Sequence, residues 1–416
     1  MTMTEDKFMT SSIIRRRQIN HMTQQDYITL TICLFIALPT VSNLINISYN
    51  FIFSHFIWDT LILNGTVLMF SLRSIFLVGK SIKKDVVILI GLFLILYLLS
   101  FLFFSDNRFY MFTSVTDFMQ NGFYRLFLYS MPLYFYLRQV TDYQLLFRYL
   151  SITAKIIVIA GILTYYVMYI FIGGFDLEYM VFAYDLLFGT IFCFYDYFQE
   201  RKYFSLLLAV LGSTVIFIGG ARGPLVCIVA YILLYIIFNV RHHKGRTLSF
   251  VTIISVFAVY ISSNLMEVVT KMNVLLIGLG IQSRTIELIL TQGFLNESGR
   301  DIIQAELIKY IGANPFLVHG MFGDRVVTQG IFDFQGSYAH NFIIEVLTQY
   351  GVILGLIFLC TVFLIIIGSL LRKQDPLYKN LVLLLIPSGL INDVRKLFER
   401  NVFLFVACSS GKCTHA

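Results

Sequence analysis

The sequence reads as an all-α bundle of membrane-spanning helices, for three reasons. Of 416 residues, 58% are hydrophobic and only 13% are charged, where a soluble domain carries about 45–50% and about 25%. The apolar residues gather into runs of about 20, the length that crosses a hydrocarbon core. The 41 phenylalanines and 25 tyrosines bring the aromatic content to 16%, which suits rings placed at the two membrane–water interfaces.

The runs place spans near 28–47, 58–78, 86–104, 121–137, 152–172, 179–197, 203–220, 224–240, 248–265 and 350–371. Shorter apolar segments near 377–392 and 397–410 bring the total to about twelve. The chain divides accordingly. A polar tail occupies 1–27 and helices one to nine occupy 28–265. A long, partly helical extracytoplasmic loop follows over 266–340. The C-terminal spans occupy 341–410, and a short tail 411–416 closes the chain. The first apolar run lacks a small-residue cleavage site and reads as a span, not a removed signal peptide.

Loop charges orient the bundle. With the N-terminus inside, the inner loops carry Lys80, Lys83 and Lys84, then Arg138 and Arg148, Arg201 and Lys202, Arg241, Lys244 and Arg246, and finally Arg372, Lys373 and Lys379. The outer loops near 50 and 175 carry no Lys or Arg, the one near 110 only Arg108, and the 219–223 turn only Arg222. This positive-inside bias holds through ten spans and puts the turn and the long loop on the outer face. Arg395, Lys396 and Arg400 in the last hairpin break it. The net charge of +7 and pI near 9.0 therefore reflect cytoplasmic loops and give no reason to invoke nucleic acid. The six cysteines show neither CxxC nor Cys/His spacing, so no disulfide framework or metal site is indicated, and no residue pattern calls for a cofactor.

Charges inside apolar segments need a reason, since one at a span centre costs about 2.5–3.5 kcal/mol on insertion scales. Arg73 and Lys155 lie close enough to the inner boundary to snorkel. Arg125 and Asp185 lie towards the outer ends of their spans, where they line a cavity for an anionic ligand, anchor the interface or pair with each other.

Three outer stretches carry the chemistry. In Gly219-Gly220-Ala221-Arg222-Gly223-Pro224 two spans meet with almost no loop, and Pro224 suits the first turn of a helix. Arg222 is thus held at the membrane surface beside a helix start, an arrangement that suits phosphate or serves as an ordinary headgroup contact. In the long loop, Ser298 with Asp301 is a capping-box variant. Ile303, Leu307, Tyr310 and Ile311 then share a helical face, with Asp301, Gln304, Glu306 and Lys309 opposite. Gly312 and Asn314-Pro315 end the helix. That helix is expected to lie on the membrane surface or to cap a cavity. Arg300 at its start either meets an anion or pairs with Glu297 or Asp301. Finally, His340-Asn341 runs into an apolar helix with Glu345 one turn below Asn341. A histidine there orients or deprotonates a hydroxyl, binds phosphate, or serves as a structural hydrogen-bonder.

Taken in order, Ala221-Arg222-Gly223, Ser298-Gly299-Arg300, Asn314-Pro315 and His340-Asn341 with Gly351 resemble the O-antigen polymerase and O-antigen ligase superfamily, over about residues 203–371. Gly351 and Gly355 stand further apart than the ligase-like glycine pair, and Leu225 follows Arg222 one residue early, which tilts the resemblance to the polymerase side. The resemblance implies a membrane glycosyltransferase at the outer face of a bacterial cytoplasmic membrane. It implies catalytic roles for Arg222, Arg300 and His340, and substrate contacts from Arg125, Asp185, Asn341 and Glu345. The partners it implies are undecaprenyl-diphosphate-linked donor and acceptor glycans, with a flippase and a chain-length regulator beside them. A ligase passing finished glycan to another acceptor is the nearest alternative. A flippase is the alternative from a different class, disfavoured because the informative charges collect on one face and only the second half carries the long loop.

Overall fold

The computed structural model describes residues 23–52, 65, 69, 72, 84–112, 131–168, 179–219, 222–239, 264–278, 286, 290, 300–333, 339 and 341–371. Among them every regular element is a helix: α1 Gln24–Ile52, α2 Lys84–Phe103, α3 Asn107–Phe112, α4 Met131–Gln139, α5 Tyr143–Val167, α6 Tyr179–Glu200, α7 Tyr203–Ile218, α8 Arg222–Asn239, α9 Leu265–Gly278, α10 Arg300–Ala313, α11 Gly323–Phe332 and α12 Phe342–Leu371. The expected spans near 58–78, 248–265, 377–392 and 397–410 lie outside the described residues, wholly or nearly so. Among the described residues three helices are long and apolar enough to cross a membrane, at Gln24–Ile45, Tyr143–Val167 and Phe342–Leu364, and shorter apolar stretches occupy Ile90–Phe103, Tyr203–Ile218, Gly223–Ile236 and Val269–Gly278.

Capping moves the helix boundaries away from the ends of the apolar runs. Thr23 and Asp26 cap α1 reciprocally: Thr23 N donates to Asp26 Oδ2 at 2.9 Å, and Asp26 N donates to Thr23 Oγ1 at 3.2 Å. Asp142 accepts from Leu145 N at 2.9 Å. That cap starts α5 nine residues before the expected span at 152, so Arg148 sits on the helix and not in a loop. Helix α12 likewise begins at Phe342, eight residues before the expected 350, because Asn341 Oδ1 accepts from Ile343 N and Ile344 N at 3.0 and 3.4 Å. The long loop is itself largely helical where it is described, and the expected boundary at 266 cuts into α9.

The core is built by α1, α4, α5, α6, α7 and α8, with α5 packed against α1 on one side and against α6 and α7 on the other. Small residues let these helices approach. A Cβ on Gly189 would come within 2.9 Å of Ala154 O, so glycine there brings α6 backbone against α5 backbone. An ion pair spans this junction. Lys155 Nζ lies 2.8 Å from Asp196 Oδ2 and 2.7 Å from Ser151 Oγ, and the Ser151 hydroxyl also donates to Asp196. Lys155 is therefore held by Asp196, four residues before the end of α6. Arg73 lies outside the described residues.

Candidate functional site

The described residues 300–333 of the long loop fold back on the bundle as a cap. Helix α10 presents the expected face: Leu307 is fully buried, and Ile303, Tyr310 and Ile311 pack with it against Val327 of α11, Ala339 and Ile344 of α12. The face closes on protein, not on a membrane surface, and α10 runs one residue past Gly312. Asn314-Pro315 turns the chain, and Val352 N leaves the helical ladder of α12 to donate to Pro315 O at 2.7 Å. This is possible because Gly351 takes φ 71°, ψ 171° and kinks α12. A Cβ there would meet the carbonyls of Pro315 and Leu317 at 3.2 Å each. The chain next crosses the C-terminal end of α2. Met321 N donates to Ser100 Oγ at 2.9 Å, and the Asn107 amide of α3 donates to His319 O at 2.6 Å and Met321 O at 2.9 Å.

Inside this cap three charged residues are buried: Asp324, Arg325 and Glu345. One amide ties the two carboxylates together, Gln349 Nε2 donating to Asp324 Oδ1 at 2.8 Å and to Glu345 Oε1 at 3.1 Å. Arg325 turns the other way, its guanidinium carbon 4.7 Å from the Phe322 ring and 5.8 Å from the Tyr110 ring, a cation–π arrangement. Tyr110 in turn donates to Gln329. His319 is half-buried, with Nε2 2.9 Å from Tyr310 Oη. Burial pushes its imidazole below the ordinary 6.5, because the cation loses hydration there. The cap thus presents a neutral histidine and a phenol on a backbone pinned to α3 and α12.

The sequence-predicted residues fall in two regions. Asn341 and Glu345 belong to the cap, the first as the N-cap of α12 and the second as a carboxylate held by Gln349. Asp185 belongs to the bundle, buried on α6, with Thr40 Oγ1 donating to its carbonyl at 3.4 Å. Its neighbour Tyr184 joins it to the Arg222 turn: a Cβ on Gly223 would overlap Tyr184 Oη, which explains a glycine directly after Arg222. The early part of the long loop reaches the same turn, since Val269 and Leu276 of α9, with Ile286 and Leu290, pack on Phe217 and Ile218 at the end of α7. Arg222 is the first residue of α8 and Arg300 the first of α10, while their side chains lie outside the described residues. So do His340 and Arg125.

Sequence reading missed His319, Asp324, Arg325 and Gln349. A faint signal existed in Gly320-Met321-Phe322-Gly323-Asp324-Arg325, where two glycines bracket a turn and adjacent opposite charges follow. Phe322 is indeed left-handed at φ 67°. Comparison of the chain with protein-family models, with curated proteins and with solved structures finds no match.

Proposed function

We propose that the protein is a polysaccharide polymerase of about twelve spans, working at the outer face of a bacterial cytoplasmic membrane. It joins lipid-linked oligosaccharide repeat units by glycosyl transfer from a polyprenyl-diphosphate-linked chain. One observation carries the reading most. The three residues chosen as catalytic all fall at helix starts, Arg222 opening α8, Arg300 opening α10 and His340 directly preceding the Asn341 cap of α12. Backbone N–H groups at a helix start have no intrahelical partner and favour anions.

The chemistry follows from that preference. A sugar hydroxyl of the incoming repeat unit attacks the anomeric carbon of the growing chain. The bond from that carbon to the lipid diphosphate breaks, and negative charge builds on the departing oxygen. Two guanidinium groups at Arg222 and Arg300 stabilise that charge in the transition state. His340 orients the acceptor hydroxyl or takes its proton, and Asn341 keeps the histidine at the mouth of α12. The polyprenyl diphosphate leaves in the outer leaflet with its charge matched by the arginines.

Substituting Arg222 tests this. Arg222→Ala removes charge and fork; Arg222→Lys keeps the charge and loses the bidentate geometry. In cells with equal amounts of each variant, the Ala form is expected to yield single repeat units on the surface and the Lys form shortened chains. Full-length chains from the Ala variant would remove Arg222 from the reaction.

A further inference from the structure

We infer that the outer membrane boundary lies at Gly351, not at the start of α12, and that the Phe316-Leu317 tip of the cap enters the outer leaflet there as a lipid anchor. The inference rests on the membrane placement of the helices and not on glycosyl transfer, so either can fail alone.

Helix α12 has 30 residues in two helical parts that meet at the Gly351 kink, more than the about 20 that cross a hydrocarbon core. Its two parts differ in kind. From Phe342 to Tyr350 it buries Glu345, Thr348 and Gln349 against protein. From Gly351 onward the described side chains are apolar apart from Cys360 and Thr361, and Ile353, Leu354, Ile357, Phe363 and Leu364 are exposed. The stretch from Gly351 to Leu371 rises ~30 Å, one core thickness, and Arg372-Lys373 follows it directly in the sequence. Helix α2 gives the same level independently. Its 20 residues also rise ~30 Å, with Lys83-Lys84 at the inner end. Its outer end meets the same loop: Gly320 packs against Phe104 and Ser100, while Gly320 N and His319 N both donate to Gln349 O at 2.9 Å.

Two spans measured from their inner cations therefore stop at one level, and the tip of the cap stands at that level. Phe316 is 74% exposed and so is Phe103 beside the loop; Leu317 is exposed with them. Directly below on α12 come the exposed Ile353 and Leu354. The apolar surface of the tip is continuous with the surface that α12 turns to lipid, so the occupant is the bilayer itself. Phenylalanine at the headgroup level matches the aromatic belts of membrane proteins. The arrangement fixes the height of the cap above the bilayer, and with it the reach of any residue on α10 and α12 to a lipid-borne substrate.

Single-tryptophan fluorescence tests this in nanodiscs. The chain has one tryptophan, Trp58, so Trp58→Phe provides a silent background for Ile343→Trp, Phe316→Trp and Ile353→Trp, all at exposed sites. Brominated phosphatidylcholine is expected to quench most of the emission at 316 and 353, with shallow bromines more effective at 316 and deeper ones at 353. Aqueous acrylamide is expected to quench 343 and leave 353 untouched. Lipid quenching at 343 would move the boundary to the start of α12 and overturn the inference. So would a residue 316 reached by acrylamide alone, which lifts the tip clear of the bilayer. A residue 316 reached by neither quencher would mean that protein, such as a second copy of the chain, covers it, and would overturn the lipid assignment equally.

Discussion

His319 shows how one side chain reports on the cap. Burial holds its imidazole below 6.5, so the folded cap takes up this proton less readily than the unfolded chain does. Above pH 6.5 the residue is neutral in both states and costs nothing. As pH falls below 6.5 the unfolded chain is protonated first, and the fold loses stability. The protection factors of amides in residues 314–333, corrected for the intrinsic pH dependence of exchange, should therefore fall more between pH 7.5 and pH 5 in the native protein than in a His319→Gln variant. An equal loss of protection in both would exclude His319 as the source. The residues that hold this site were largely illegible in the sequence. Asn107 lies 212 residues from the His319 carbonyl it bonds, and no local pattern reports such a pair. What the sequence did mark were the starts of α8 and α12, through Gly223-Pro224 and the Asn341 cap.

At the scale of the element, α5 and α6 are joined by a pair that no local pattern reports. Lys155, expected near a span boundary, meets Asp196 of α6, 41 residues away. Removing one partner of a buried pair strands the other charge, which typically costs about 3–5 kcal/mol, whereas replacing both by apolar residues is often neutral. Lys155 remains partly exposed at 21%, so the lower part of that range applies. Thermal unfolding in detergent is expected to rank Lys155→Met well below the double variant Lys155→Met/Asp196→Leu, with the double variant near the native protein. Additive losses from the two substitutions would show that the groups do not act as a pair. Apolar runs located α1, α2, α7 and α8 closely, because a run of apolar residues in such a chain has few other fates. Where a run was flanked by a good cap, as at Asp142 and Asn341, the helix outran it.

For the whole molecule, the structure joins an apolar bundle to a cap that buries Asp324, Arg325 and Glu345 beside an apolar cluster of its own. The cap closes on α12 through Gly351, a glycine singled out for its spacing from His340-Asn341 and found to be required by the kink. Its helix α10 presents the face that the 3–4 spacing of Ile303, Leu307, Tyr310 and Ile311 predicts. The partner of that face was not predictable, because an apolar stripe suits a bilayer and a protein surface equally. The all-helical class follows from composition together with run length, since a bilayer core admits only helices and closed barrels and runs of about 20 apolar residues suit helices.

The central claim is that this protein extends glycan chains on the outer face of the membrane. The most direct measurement is the size distribution of surface glycan, resolved on a gel, from cells lacking the protein. The account predicts surface material reduced to single repeat units, with chain length restored by the native protein and not by Arg222→Ala. Long chains retained on the lipid carrier, or the absence of all outward material, would contradict it and indicate a ligase or a flippase instead.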